Sequence, residues 1–448
     1  MKNATEMTFE KIRKYKEEYD NNKQANFLAN AINKSGIDAI AFNNEALRKM
    51  QYNFSVEIET GKITNQKGSG RCWIFAGLNT MRFHIGKKFN IKDFELSQNY
   101  VAFWDKFEKA NYFLETMIDT LDQETGSREI MWLIQNMVSD GGQWDMFCNI
   151  VEKYGIVPKE AMPETTPSSS SAQMNKFLQI KLREFAATLR SMYQDGSPVS
   201  DLSAKKDQMM AEIYKMLCMF LGQPPESFDF EYRDKDKKFF ADRNMTPMDF
   251  YKKYIDFDIR DYVSLINAPT DDKPMWKTYT VKYLGNVIGG KDVKYLNVDL
   301  DTMKEAAIKQ MKDDVPVWFG CDVGKMFYRD EGILDTDAFD YDGALDTEFV
   351  SDKAFRLDYY NSCMTHAMVF TGVNIIDDKP TRWKVENSWG EDRGHKGFLV
   401  MSDKWFDEYM YQVVVHKKYL DKKILDLVKQ EPIVLKPWDP MGSLAQTI

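Results

Sequence analysis

Four residues of this chain could together break an amide by thiol chemistry: Gln66, Cys72, His366 and Asn387. Such chemistry needs a thiolate, a base for its proton, a group that orients the base, and donors for the oxyanion on the attacked carbonyl. Cys72 stands in Gly68-Ser69-Gly70-Arg71-Cys72-Trp73-Ile74-Phe75. The two glycines let backbone come close to a substrate carbonyl. The apolar run after them predicts a buried helix beginning at or near Cys72, where unpaired N–H groups and the macrodipole favour a thiolate. Gln66, six residues upstream, could supply one oxyanion donor through its side-chain amide, and the Cys72 backbone N–H the other. His366 begins a strand-like segment and is the candidate base. Asn387 follows the strand-like Trp383-Lys384-Val385-Glu386. Its carbonyl can accept from the imidazole and fix the ring without adding charge. Trp389, in Asn387-Ser388-Trp389-Gly390, could cover that bond and exclude water. None of the four is diagnostic alone. A lone cysteine usually fills core, a lone histidine is usually structural, and Asn-Ser-Trp-Gly reads equally as a turn. Their occurrence together, in Gln–Cys–His–Asn order, carries the reading.

The elements that must hold them divide the chain. Phe9, Ile12 and Tyr15 predict an early helix, and Gln51 to Ile63 looks extended. Ile74, Leu78, Met81 and Ile85 fall on one face of the Cys72 helix. A further helix ends at the turn signal Asp140-Gly141-Gly142, and another leads to Tyr154-Gly155-Ile156-Val157-Pro158. Glu164 to Gln173 is rich in Ser and Thr and is the clearest loop in the chain. After it, 174–222 is helical in pattern, and 165–300 reads as an inserted, mainly helical subdomain. From about 300 the pattern turns to strands. The expected organisation is α+β: a segment 1–164 carrying Cys72, the insertion 165–300, a strand-rich part 301–430 carrying His366 and Asn387, and a C-terminal arm 431–448.

Composition narrows the function. The 448 residues, 43% hydrophobic, can bury a sizeable core. A net charge of -9 argues against nucleic-acid binding, although 60 Lys and Arg permit a local basic surface. The N-terminus lacks the apolar stretch of a secretory signal, and no run approaches the ~18 apolar residues of a membrane span. The five cysteines, Cys72, Cys148, Cys218, Cys321 and Cys363, are odd in number and show no metal-knuckle or redox spacing. With only four histidines a Cys/His zinc site is poorly supported. A reducing cytoplasm is the simplest setting, and the chemistry requires no metal or organic cofactor.

The segment around Cys72 and the Asn387-Ser388-Trp389-Gly390 string resemble papain-type cysteine peptidases. More narrowly the chain resembles the bleomycin hydrolase/aminopeptidase C family. The resemblance is carried by Asn65–Phe75, Asp140–Met146, Glu152–Pro158, Pro316–Gly324, Met364–Met368 and Trp438–Gly442. It spans nearly the whole chain. Two departures from secreted papain-type enzymes are readable. Ser69 stands where those enzymes carry a disulfide cysteine, which fits a reducing compartment. His366 follows Cys72 by about 290 residues, against roughly 130–150, an excess that matches the insertion. The resemblance implies a papain-like fold with its cleft between the two parts, and hydrolysis through a Cys72 thioester. It implies a Gly141-Gly142 backbone that pairs with substrate, and a homohexamer whose sites face an inner chamber. It also implies that the arm enters the cleft, with Ala445 or a near neighbour meeting the free amine of a peptide substrate. Endopeptidase geometry thereby becomes aminopeptidase geometry. Gln446-Thr447-Ile448 extend past that point, and self-trimming is one expectation for them. The rival readings are another Cys-His acyltransferase, such as a transglutaminase or arylamine acetyltransferase, and a scaffold used for binding, for example of DNA. The first group uses an Asp orienter where this chain has Asn387.

Overall fold

The computed structural model describes residues 5–443. Ala445 and Gln446-Thr447-Ile448 therefore lie outside the described residues. The architecture is the α+β, papain-like one expected: helices packed against one large sheet.

The strands, in chain order, are β1 Val56–Glu57, β2 Phe228–Arg233, β3 Phe239–Met245, β4 Tyr262–Ile266, β5 Thr278–Val281, β6 Tyr295–Asn297 and β7 Val317–Cys321. They continue with β8 Phe327–Tyr328, β9 Ile333–Leu334, β10 His366–Ile376, β11 Lys379–Glu386, β12 Phe398–Ser402, β13 Met410–His416 and β14 Ile433–Leu435. All but the β2–β3 hairpin share one sheet, ordered β14-β5-β6-β4-β13-β7-β10-β11-β12-β9-β8, with β1 on β10.

The central strands β7, β10 and β13 are runs of β-branched and aromatic residues, as a sheet covered on both faces requires. Their alternation feeds two cores. Trp318, Ala367, Val369 and Val414 join Cys72, Trp73 and Ile74 in the helical layer. Phe319, Met368, Phe370 and Val413 face the other way, against Met303, Ala307 and Met311 of the Leu300–Lys312 helix. Burying each such side chain contributes roughly 1.5–3 kcal/mol. In the Cys72–Lys88 helix, Cys72 through Arg82 is buried without a break, the polar Asn79, Thr80 and Arg82 included. The helix packs between β10 and the Gln98–Asp119 helix.

The structure redraws two parts of the sequence reading. The Ser-rich stretch is not an open loop. Thr165 and Ser168 form a capping box around a helical turn, Thr166–Ser169, and the Ala172–Gln194 helix follows directly. The stretch 165–300 is mainly helical through Leu221, then carries the β2–β3 hairpin and one short α-helix, Pro247–Tyr254. Ala172–Gln194 and Val199–Leu221 pack on the Gln98–Asp119 helix. From Tyr262 the chain enters the main sheet, β4 pairing with β13 and β6 running parallel to β4. The reason is local: Tyr-Val-Ser-Leu-Ile and Thr-Tyr-Thr-Val are strand-forming runs.

Candidate active site

Cys72 is the first residue of its helix, with Arg71 at the N-cap. Arg71 makes no side-chain cap bond, so N–H groups of the first turn stay available to a negative charge. The thiol is 1% exposed. Backbone N–H groups of Ala367 and Trp73 lie against it and favour the thiolate. Ala367 follows His366, so the sheet brings the candidate base to the candidate nucleophile.

His366 opens β10 opposite Cys321 of β7. Its Nε2 lies 2.9 Å from Asn387 Oδ1. The same oxygen accepts from the Ser388 backbone N–H at 2.7 Å. An oxygen that accepts twice requires Nε2 to carry the ring proton, which leaves the Nδ1 lone pair for Cys72. The Trp389 ring lies 4.8 Å from the imidazole and covers the bond. Gly390 beside it has φ +78, and a Cβ there would meet Asn65 Nδ2 at 2.7 Å. The turn thus accommodates glycine and brings residues 387–390 against residues 64–66.

Gln66 is 7% exposed. Its Nε2 donates to the Ser69 carbonyl at 2.8 Å, and its Oε1 accepts from Ser388 Oγ at 3.0 Å. Both bonds fix which end of the amide is the donor. Gly142 lies flat on Trp73: a Cβ would come within 2.7 Å of the indole. Lys109 Nζ holds the Gly141 carbonyl at 2.5 Å, and Trp73 Nε1 donates to the Asp140 carbonyl at 2.7 Å. An apolar cavity walled by Trp132, Leu133, Met137 and Tyr283 opens beside Gly141 and Gly142.

The arm runs to the same place. Gln143 Nε2 donates to the Ser443 carbonyl at 3.4 Å, and Ser443 Oγ to the Met364 carbonyl at 3.3 Å. Upstream, Lys273 and Asp439 form an ion pair of 3.0 Å, 2% and 8% exposed. The Arg128 guanidinium stacks 3.8 Å over the Trp438 ring. The described arm therefore lies between Gln143, next to Gly142, and Met364, two residues before His366.

Burial pushes the Cys72 thiol up to about 12, against the pull of the Ala367 and Trp73 N–H groups. Burial likewise lowers His366 to about 4, opposed by the Asn387 bond. Each shift penalises one charge taken singly. Moving the proton from Sγ to Nδ1 makes both charges together, side by side, and their attraction offsets much of that penalty.

Several residues that build this site carry no sequence signal of their role. Ser388 sits inside a motif noticed for its neighbours. Lys106 and Lys109 are charged positions on a helix and read as solvent-facing, yet they are 2% and 5% exposed. Arg71, Glu164, Lys273 and Asp439 are invisible until the fold pairs them. Among the described residues no group of three or more His, Cys, Asp or Glu could hold a metal ion, and no helix is long and apolar enough to cross a membrane.

The chain is similar to known proteins over nearly its whole length. The Peptidase C1-like family model matches residues 6–442. The aminopeptidase C of Listeria innocua is 50% identical over 442 residues, covering 99% of this chain and 100% of that one. Human bleomycin hydrolase is 44% identical over 403 residues, 88% and 89% of the two chains. The crystal structure of pepw from Lactobacillus rhamnosis HN001 superposes with a TM-score of 0.96 at 52% identity, covering 98% of this chain and 99% of that one.

Proposed function

The chain belongs to the Peptidase C1-like family and is a cysteine-type aminopeptidase, and we propose that Cys72, His366, Asn387 and Gln66 are the groups that carry its reaction. The observation that supports this most directly is the 2.9 Å contact from His366 Nε2 to Asn387 Oδ1, with the Cys72 thiol against the N–H of Ala367. Nδ1 of His366 takes the Cys72 proton as Sγ attacks the scissile carbonyl. The oxyanion is received by the Cys72 N–H and a Gln66 Nε2 proton. Nδ1 then returns the proton to the leaving amine, and the thioester forms. A water, deprotonated by the same nitrogen, hydrolyses it and frees the thiol.

The arm supplies the restriction to N-termini. Its described end lies between Gln143 and Met364, where it fills the non-primed side of the cleft and leaves room for a short substrate end. With Gln446-Thr447-Ile448 trimmed, a terminal carboxylate at Ala445 would meet the substrate amine, a charge-assisted contact of roughly 1.5–3 kcal/mol. Backbone of Gly141 and Gly142 pairs with the bound peptide, and Trp389 keeps water from the His366–Asn387 bond. The chain works as a homohexamer in a reducing cytoplasm, acting on peptides with a free N-terminus. Its parts are the helical half through residue 164, an insertion ending near residue 261, a strand-rich half, and the arm.

Kinetics on one peptide with free and acetylated N-termini, using wild type and Cys72→Ala, test this. The free peptide is cleaved and the acetylated one spared, and Cys72→Ala cleaves neither. Equal rates on both peptides refute the arm's role, and activity surviving Cys72→Ala refutes the mechanism. Sedimentation as a monomer would refute the hexamer.

A further inference from the structure

The Ser-rich stretch after Glu164 has no part in the mechanism, yet it lies directly behind the loop that carries Gln66. That loop is gripped on two sides. On one, the Gln66 N–H donates to the Ser388 carbonyl at 2.8 Å and the Gly390 N–H to the Thr64 carbonyl at 3.0 Å. On the other, the Gly68 N–H donates to the Ser169 carbonyl at 2.9 Å, and the Ser171 N–H to the Gly68 carbonyl at 3.3 Å.

Between these edges runs a chain of buried side chains. Ser69 Oγ donates to the Gln66 carbonyl at 2.7 Å and accepts from Arg71 Nε at 2.9 Å. The Arg71 guanidinium then makes a two-pronged pair with Glu164, at 3.1 and 2.8 Å. Ser168 Oγ donates to the same carboxylate at 2.5 Å. Arg71 is 4% and Glu164 19% exposed at the side chain. A planar fork matched to a carboxylate fixes direction as well as distance, which a lysine cannot do. Arg71 also stands at the N-cap of the Cys72 helix without capping it. Its side chain is committed to the loop instead.

We infer that Arg71 and Glu164 are positioning residues for the oxyanion donor Gln66, aligning its amide through Ser69. This rests on the reading of Gln66 as a donor. Gln66 Nε2 gives one proton to the Ser69 carbonyl, and among the described residues no protein group takes the other. The position of that free N–H follows the position of Ser69, and Ser69 is held by Arg71. Secreted papain-type enzymes, which the chain resembles around Cys72, carry a disulfide cysteine where Ser69 stands. A hydrogen-bonded relay here supplies the restraint on the loop.

A double-mutant cycle in kcat tests the inference. Gln66→Ala lowers kcat roughly 10²–10³-fold, as loss of an oxyanion donor does. Arg71→Lys keeps the charge beside Glu164 but loses the fork, and lowers kcat about 10–100-fold with KM within about twofold. In the Gln66→Ala background the same Arg71→Lys change costs less than about threefold, because the donor it positions is gone. A general structural role would instead give the same factor in both backgrounds, and that result overturns the inference. So does wild-type kcat in Arg71→Lys. Full activity in Gln66→Ala overturns the donor reading and this inference with it, whereas a slow Gln66→Ala with additive Arg71→Lys sinks the inference alone. Should Arg71→Lys fail to fold, Ser69→Ala, which removes no charge, runs the same cycle with the same criteria.

Discussion

The two walls of the cleft are held by different physics. The wall with His366 and Asn387 is a sheet. His366 is set by its register against Cys321 of β7, and Asn387 by the β11 strand before it, paired with β10 and β12. The wall with Gln66, Cys72 and Gly141 is a loop, a helix start and a turn, held by buried charge. Asp140 accepts from the Gly70 N–H at 3.0 Å and Asn175 Nδ2 at 2.8 Å, and pairs with Lys106 at 2.6 Å. Lys109 pairs with Asp105 at 2.7 Å and holds the Gly141 carbonyl. A backbone ladder spreads its energy over many bonds that no single side chain controls. A charge network concentrates it in a few groups, each costly to orphan. One ion pair, Arg82 to Glu386 at 2.9 Å, joins the Cys72 helix to the end of β11 and so links the two walls.

The largest effect erases the difference between the walls. Cys72→Ala and His366→Ala each lower kcat/KM by at least about 10⁴-fold, and the double variant loses no more than either alone, because nucleophile and base act as one unit. Losses that multiply in the double variant would break the unity of the site.

Next in size is Asp140→Asn, which attacks the charged wall. It leaves Lys106 buried beside a neutral amide, and urea unfolding registers a loss of about 3–5 kcal/mol at neutral pH. Burial alone would raise the Asp140 carboxyl. The Lys106 charge, with bonds from Lys106, Ser171 and the Gly70 N–H, outweighs burial and holds it well below the usual range. A depressed folded-state value stabilises above the unfolded value of 3.8 and is lost as pH falls below it. The gap between wild type and Asp140→Asn is therefore full above about pH 5 and narrows below about pH 4. A gap that does not change with pH would show that packing, rather than charge, holds this wall.

On the sheet wall the comparable change is smaller and purely catalytic. Asn387→Ala removes the orienting oxygen while the β10–β11 ladder remains. It lowers kcat roughly 10²-fold and leaves the unfolding midpoint within a degree or two of wild type. A large drop in stability would mean that the Asn387 side chain, and not strand register, sets this wall.

The contrast also decides what could be read before the structure. The sheet wall was legible because strands announce themselves. Ala367 to Phe370 is an apolar run and Trp383 to Glu386 alternates apolar and charged residues, and His366 and Asn387 flank them. The Cys72 helix was legible for the same reason, an apolar face starting after two glycines. The charged wall was not. Lys106 and Lys109 follow the spacing of a solvated helix face, and only the fold turns them inward. Arg71 and Glu164 stand 93 residues apart, and no local pattern links them. The short strands β4 to β6, which join the main sheet, are masked in the sequence by the helical pattern of the stretch before them.

The smallest effect probes the ladder where it is weakest. Thr371 lies at the register shift between Phe370 and Gly372 in β10. It is 0% exposed, and its Oγ1 has no hydrogen-bond partner. Its backbone carbonyl is satisfied by the Ile58 N–H at 2.8 Å, so the backbone loses nothing if the hydroxyl goes. Thr371→Val keeps the branched shape and removes a buried unpaired group whose desolvation costs about 1–3 kcal/mol. The gain is tempered by any strain from the added methyl, so the urea midpoint should rise by the equivalent of about 1 kcal/mol with an unchanged slope. The kcat stays at wild type, since the catalytic register of His366 is set five residues away. A fall in the midpoint would mean that the hydroxyl is satisfied by buried water. The sheet wall would then depend on a polar contact, like the wall it faces, and the distinction between them would narrow.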